Sequence, residues 1–377
     1  MRWRSSSPAA ETSNEKRRVV LLAPSLTRTP GGISRYAEGL ITSSILSHAG
    51  FALEHLTTHE HGWWGRKLLI ASRASIKLPI MRANAGVAHA LIASDSSYLR
   101  KVILLGEARL LGLKTIAHFQ GSTVVEWLSS LPTRYRRWVV RMTEKCDTVV
   151  TLGNRLAQYF RSQGMRAPLQ VIPNAVDLAP SHDGPKAGPR YILSAGALGH
   201  RKGTLDLLHA FARISADFPD TSLILAGDGA VEDTRARAQA LGLGERVRCT
   251  GWLDKGPMAR LLERCTVFAL PSHNEGMAFA VLEAMMRAIP VVTTPVGEHP
   301  SAISDEREGL LVPPGDVPAL ARALSRLLRE PELAGTLGRA ARDRAMREFT
   351  LSANHSAVAA LYSSLLSGQI IASVTQR

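Results

Sequence analysis

The chain has 377 residues, 45% hydrophobic and 21% charged, which excludes a disordered chain, a collagen-like fibre and a disulfide-stapled miniprotein and suits about two domains. Three scattered cysteines (Cys146, Cys249, Cys265), a polar N-terminus and the lack of any run of roughly 18–20 apolar residues point to a cytoplasmic protein without disulfides, signal peptide or membrane span. The formal charge of +14 is uneven: residues 1–180 hold 24 Lys and Arg against 11 Asp and Glu, and residues 181–377 hold 22 against 21.

Residues 1–17 read as a disordered tail, and a first α/β domain is expected over 18–178. Arg18–Pro24 reads as a buried strand, Thr29–Ile33 as a Gly/Pro turn, and Ser34 to Leu46 has helical spacing. Strand-like runs recur at Val87–Ala93, Lys114–His118 and Thr148–Leu152, separated by amphipathic stretches, which argues for a parallel sheet covered on both faces. The breaker-rich segment 179–189 is the best linker in the chain.

The pattern then restarts. Arg190–Ala195 reads as a strand and Gly203–Ile214 as a helix; Ser222–Gly227 reads as a strand and Val231–Leu241 as a helix. Short strands follow at Val247–Thr250, Thr266–Leu270 and Ile289–Thr293, and helical spacing runs from Pro318 to about Leu366. The second domain is expected over 190–350, with a last helix in 351–377 returning to the first domain. Two such Rossmann-like domains place a ligand in the cleft at the carboxyl ends of their strands.

Leu270 to Met286 is the segment richest in chemistry. A strand ends at Pro271, a loop carries Glu275 and Gly276, and a helix opens near Ala278. Free N–H groups at a helix start make a seat for a diphosphate, and Gly276 lets an anion approach the backbone. Glu283 follows about 7–8 Å farther along the helix axis. Two glutamates at this spacing also occur on ordinary solvated helix faces.

Other motifs share that order along the chain. Pro30-Gly-Gly-Ile-Ser-Arg-Tyr36, Ile172-Pro-Asn-Ala-Val-Asp177, Gly196-Ala-Leu-Gly-His-Arg-Lys-Gly203, Ala226-Gly-Asp-Gly229, Val247–Leu253, the Glu275/Glu283 pair and Pro290–Gly297 occur in succession. In this series the chain resembles the GT-B-fold retaining glycosyltransferases of family 4, the glycosyl transferases group 1, over roughly residues 18–365. The resemblance implies an α/β fold of two Rossmann-like α/β/α domains facing each other across a donor-binding cleft. It implies transfer of a sugar from a nucleotide-sugar donor to a saccharide or lipid-linked acceptor with retention, in surface polysaccharide or glycolipid synthesis. The donor is then a substrate, and neither cofactor nor metal is required.

Residue by residue, the resemblance implies that Glu283 holds the ribose and Glu275 the hydroxyls of the donor sugar. The backbone of Gly276, Met277, Ala278 and Phe279 would cap the diphosphate, and Lys202 with Arg201 would neutralise it as it leaves. Gly31 and Gly32 would let the N-terminal loop close over the phosphates, and His118 would contact the donor sugar near the reaction centre. Three departures stand out: Ala197 where many relatives carry Arg, Glu275-Gly-Met-Ala278 in place of Glu-Gly-Phe-Gly, and Ala175 in place of Gly. No Asp-x-Asp pair is present to hold a divalent cation.

The basic first half would serve the acceptor. Trp63–Ile70 and Arg134–Arg141 interleave aromatic residues with Arg and Lys, a pattern suited to peripheral docking on an anionic membrane at the inner face of the cell. Ordinary amphipathic helices with snorkelling cations have the same look. A nucleic-acid-binding protein would account for the charge but leaves Glu275, Glu283 and the phosphate loop unexplained, so no nucleic-acid partner is expected. A nucleotide-sugar epimerase or phosphorylase of the same fold is the nearer alternative.

Overall fold

A computed structural model describes residues 16–29, 31–60, 62–181 and 189–368. The expected tail over 1–17 and linker over 179–189 lie mostly outside the described residues, as do Pro30 of the first glycine turn and the end of the chain after 368.

The first domain contributes strands β1 (Arg17–Pro24), β2 (Phe51–His59), β3 (Ala85–Ile92), β4 (Lys114–Phe119), β5 (Thr148–Thr151) and β6 (Leu169–Val171). Between them run α1 (Gly32–Ile41), α2 (Ser44–His48), α3 (Trp64–Arg82), α4 (Ser96–Leu110), α5 (Val124–Ser130), α6 (Thr133–Glu144) and α7 (Asn154–Ser162). The second domain holds β7 (Arg190–Ala195), β8 (Thr221–Ala226), β9 (Val247–Gly251), β10 (Val267–Leu270), β11 (Val291–Thr293) and β12 (Leu310–Leu311). Its helices are α8 (Thr204–Ile214), α9 (Val231–Ala240), α10 (Lys255–Arg264), α11 (Phe279–Met286), α12 (His299–Ala302), α13 (Val317–Arg329) and α14 (Pro331–Glu348), with α15 (Leu351–Ser367) last.

Each sheet has six parallel strands, in the orders β2-β1-β3-β4-β5-β6 and β12-β11-β10-β7-β8-β9. The interior strands are unbroken apolar runs because helices cover both faces: Val19, Leu21, Leu193 and Phe268 are all fully buried. In the first domain α3, α4 and α6 cover one face through Leu78, Leu105 and Val139. The other face is covered by α1 and α2, through Tyr36 and Leu46, and by Val358, Leu361 and Tyr362 of α15. The last helix of the chain therefore packs on the first domain. Tyr36 donates to Asn354 Oδ1 (3.2 Å), Asn354 Nδ2 to the Pro173 carbonyl (2.6 Å), and Ser43 pairs with His355 (2.9 Å).

The sequence reading contains no strand at β2, β6 or β12, and all three are sheet edges. An edge strand is short or half solvated, so its apolar signal is diluted; β2 carries Glu54 and His55 in its middle. The helix read over Ser34–Leu46 is two helices. Ser43 accepts from the Leu46 N–H (3.2 Å) and so caps a new start at Ser44. Lys101 on α4 is completely buried, its ammonium donating to the Leu91 carbonyl and lying 3.4 Å from Ser97 Oγ. Burial, with Arg100 adding, pushes that ammonium down to about 7.

Candidate active site

The second-domain half of the site is built where β7 and β10 end. After β7 the chain turns through Gly196–Gly203, and Leu198 pairs with the Ala226–Gly229 turn (Leu198 N to Asp228 O, 2.6 Å). The turn ends on Gly203 at φ +67°, where a Cβ would lie 2.0 Å from the Pro271 carbonyl oxygen; only glycine lets the loop close against the end of β10. That closure brings Lys202 against Glu275. The two form an ion pair in which Glu275 is 6% exposed, with Arg201 Nη1 at 3.6 Å and Ser272 Oγ donating at 3.1 Å. Burial raises the Glu275 carboxyl, but Lys202, His299 and Arg201 together outweigh it and hold the group below the ordinary carboxylate range.

Behind Glu275, Gly297 at φ +55° packs on the Glu275 carbonyl, where a Cβ would meet the oxygen at 1.7 Å. Helix α11 starts beyond Ala278, four residues after Glu275, with no side-chain cap, so its first N–H groups and the positive end of its dipole have no side-chain acceptor. The Met277 carbonyl is tied to Asn174 Nδ2 of the first domain (2.8 Å).

The first domain closes on this half at three further points. Arg35 of α1 pairs with Glu283 at 2.5 Å and lies over the Phe279 ring at 5.1 Å, while Gly32 sits where a Cβ would touch that ring at 3.4 Å. Gly31 caps the same helix. The Gln120 carbonyl approaches Gly276, a Cβ on which would lie 3.2 Å away. Buried Glu298 crosses the cleft to the start of α7, accepting the N–H groups of Arg155 (3.3 Å) and Leu156 (2.9 Å). The cavity between the second and third of these contacts, lined by Phe119, Gly121, Leu156, Glu275, Gly276 and Glu298, measures about 30 Å³, room for a water or two.

The structure thus gathers Glu275, Lys202, Arg201, Gly276, Met277, Ala278, Phe279, Glu283, Gly31 and Gly32 around one cleft. His118, two residues before the Gln120 that approaches Gly276, is wholly buried, with Nδ1 against His89 Nε2 (3.1 Å) and Nε2 against the Gln120 amide nitrogen (3.0 Å). Sequence reasoning also assigned no role to Arg35, Gln120 or Glu298. Arg35 stands inside a quoted motif and Glu298 directly after another, but their partners are 248 and about 142 residues away.

The family model of the glycosyl transferases group 1 matches residues 180–344. The chain is 30% identical over 245 residues to a glycogen synthase of Mycobacterium tuberculosis, covering 63% of this chain and 59% of that protein. It is 28% identical over 252 residues to a lipopolysaccharide core biosynthesis mannosyltransferase of Rhizobium leguminosarum, covering 62% and 68%. Among solved structures, a sucrose-phosphate synthase from Thermosynechococcus elongatus superposes with a TM-score of 0.79 at 21% identity, covering 94% of this chain and 100% of that one. The Anabaena protein HepE, solved with UDP-glucose, superposes at 0.72 and 18%, covering 92% and 99%. Residues 180–344 thus resemble the glycosyl transferases group 1, and the two domains together make the GT-B fold.

Proposed function

We propose that this protein is a retaining glycosyltransferase that moves a sugar from a nucleotide-sugar donor to a saccharide acceptor carried on a lipid, at the inner face of the cell membrane and without a divalent cation. The observation that carries this reading is the buried Lys202–Glu275 pair beside the uncapped start of α11. It sets a fixed cation and free N–H donors where a departing diphosphate would gather charge, and a carboxylate where sugar hydroxyls would lie. The names of the relatives agree: glycogen synthase, lipopolysaccharide core mannosyltransferase and phosphatidyl-myo-inositol mannosyltransferase are all sugar-transfer enzymes.

In this mechanism Glu283 exchanges Arg35 for the ribose hydroxyls as the cleft opens and recloses. Lys202 and Arg201 then draw electrons toward the β-phosphate while the bond from the anomeric carbon to the phosphate oxygen breaks. The acceptor oxygen bonds to the same face of that carbon, and its proton passes to the departing phosphate oxygen. The test is thermal stabilisation by UDP, GDP, ADP and their sugars with EDTA present, followed by acceptor-dependent release of the nucleotide. One base is expected to raise the melting temperature by mass action. Release of nucleotide without an acceptor sugar, or with free phosphate in its place, would turn the assignment to an epimerase or a phosphorylase.

The membrane part of the reading rests on the outer face of the first domain. Among the described residues no helix is long and apolar enough to cross a membrane. On α3, Leu69, Ile76 and Ile80 are exposed beside Arg73 and Lys77; α4 adds Ile103 and Leu110, the latter 90% exposed. On α6, Tyr135 and Trp138 stack with ring centroids 5.5 Å apart, beside exposed Arg134, Arg137 and Arg141. Apolar groups ringed by cations suit insertion at an anionic headgroup layer. Sedimentation with phosphatidylcholine vesicles containing phosphatidylglycerol is expected to carry the protein down, with release by high salt and by Ile76→Ser/Ile80→Ser. Equal recovery in the supernatant with neutral and anionic vesicles would sink this part.

A further inference from the structure

We infer that His299 is a positioning residue of the donor site: it takes a proton from solvent as Lys202 passes from Glu275 to the donor's diphosphate, and so keeps the buried carboxylate compensated. The inference rests on the proposed donor site and goes beyond it, because it couples donor binding to a proton.

His299 opens α12, directly behind the loop that carries Glu275, and the two segments are tied along their length. Thr293 Oγ1 donates to the Leu270 carbonyl (2.8 Å), Thr294 Oγ1 to the Ser272 carbonyl (2.6 Å), and the Glu298 N–H to the Gly276 carbonyl (2.7 Å). The imidazole is wholly buried in this seam. Its Nδ1 lies 3.2 Å from the Thr294 carbonyl and 3.0 Å from Thr293 Oγ1. A carbonyl only accepts, and the Thr293 hydroxyl has given its hydrogen to Leu270, so Nδ1 carries the ring's proton and donates to both. Nε2 is therefore a bare lone pair. It is buried and has no hydrogen-bond partner among the described residues, which makes it the one place on the ring for a second proton.

Two charged side chains reach the ring. Burial holds it below the ordinary histidine value and outweighs Glu275, which favours the charged form; Lys202 opposes that form. Glu298, next in the chain, has its carboxylate spent on the start of α7. The imidazole is thus neutral while Lys202 stands in its pair with Glu275.

Lys202 is the group that changes. In the proposed mechanism the same ammonium serves the departing diphosphate, and as it turns there Glu275, only 6% exposed, loses its main counter-charge. A buried carboxylate left alone is costly. Both influences on His299 then shift the same way, because the opposing cation recedes and the attracting carboxylate is unmasked. The charges balance with one proton from solvent: ammonium on diphosphate, imidazolium beside carboxylate.

The test is calorimetric titration with UDP, GDP and ADP at pH 7.5 in HEPES and in Tris, whose different ionisation heats reveal protons exchanged on binding. The nucleotide that binds the wild-type protein is expected to take up about one proton. His299→Leu should take up none and bind about tenfold more weakly, the scale of one hydrogen bond to a charged group. His299→Gln, whose amide donates without a charge, should also take up none but recover most of the affinity. A purely structural role would lower affinity and leave the proton count unchanged. Wild-type binding without proton uptake, or uptake that survives in His299→Leu, overturns the proposal. If the wild-type chain binds none of the three, the donor-site reading has failed, and Lys202→Met (or Lys202→Gln, should the first not fold) examines the histidine without a ligand. Long-range 15N–1H spectra at pH 7.5 should show His299 as imidazolium in that variant and neutral in the wild type and in Lys202→Met/Glu275→Gln. A neutral His299 in the single variant would overturn the inference independently.

Discussion

Lys202→Met is expected to lower turnover by about 10²–10³-fold, the scale for losing one preorganised group aimed at transition-state charge. The same substitution should also destabilise the protein, because Lys202 is the main partner of a carboxylate that is 6% exposed. Removing one member of a buried pair typically costs about 3–5 kcal/mol, since the other charge is left without compensation. Here Arg201 at 3.6 Å supplies partial relief. The double variant Lys202→Met/Glu275→Gln separates the two effects: the melting temperature should largely recover, and turnover should not. Turnover within tenfold of wild type in the single variant would remove Lys202 from the mechanism.

Stability should fall steeply as pH drops below 6.5, the ordinary value of an exposed histidine. His89 and His118 are held neutral by burial, with His89 pushed down to about 3. The unfolded chain takes up protons at these positions from pH 6.5 downward and the folded chain does not, so the contribution is complete above 6.5 and shrinks through the acid range. At pH 5 the loss is about 2 kcal/mol for His89, and His118, lowered by its burial, adds in the same direction. His299, also fully buried and lowered by burial, adds to it. Urea unfolding at pH 7.5 and 5.0 measures the difference; equal stabilities would mean that the two imidazoles titrate normally. On the alkaline side the sign follows Lys101, whose ammonium is pushed down to about 7. The unfolded chain holds that proton up to about 10.5, so stability should climb between pH 7 and 10. Lys101→Met should abolish the climb and raise stability at pH 7 by an amount on the order of 2–4 kcal/mol.

How far the molecule is legible in its residues varies with the range of the interaction. The interior strands β1, β7 and β8 announce themselves because both faces are covered, which makes the whole run apolar. The glutamates of α11 and the lysine of the 196–203 turn are readable as local patterns of residue type, glycine and helix start. What a local pattern lacks is the identity of a partner. Nothing near Glu283 says that Arg35 will reach it, and nothing near His118 says that α15 will seal the sheet above it and that His89 will occupy its Nδ1. A histidine at the end of a strand looks the same whether its ring faces a ligand or another ring.

The placement of α15 also bears on how the chain is made. Val358, Leu361 and Tyr362 complete the apolar face formed by Val19, Leu21 and Val87, so the first domain lacks part of its interior until α15 has been made. The second domain carries its own two layers and can settle as it emerges. Until residue 367 is clear of the exit tunnel, β1 and β3 present uncovered apolar surface to chaperones. Of the two domains, the one synthesised earlier is finished later.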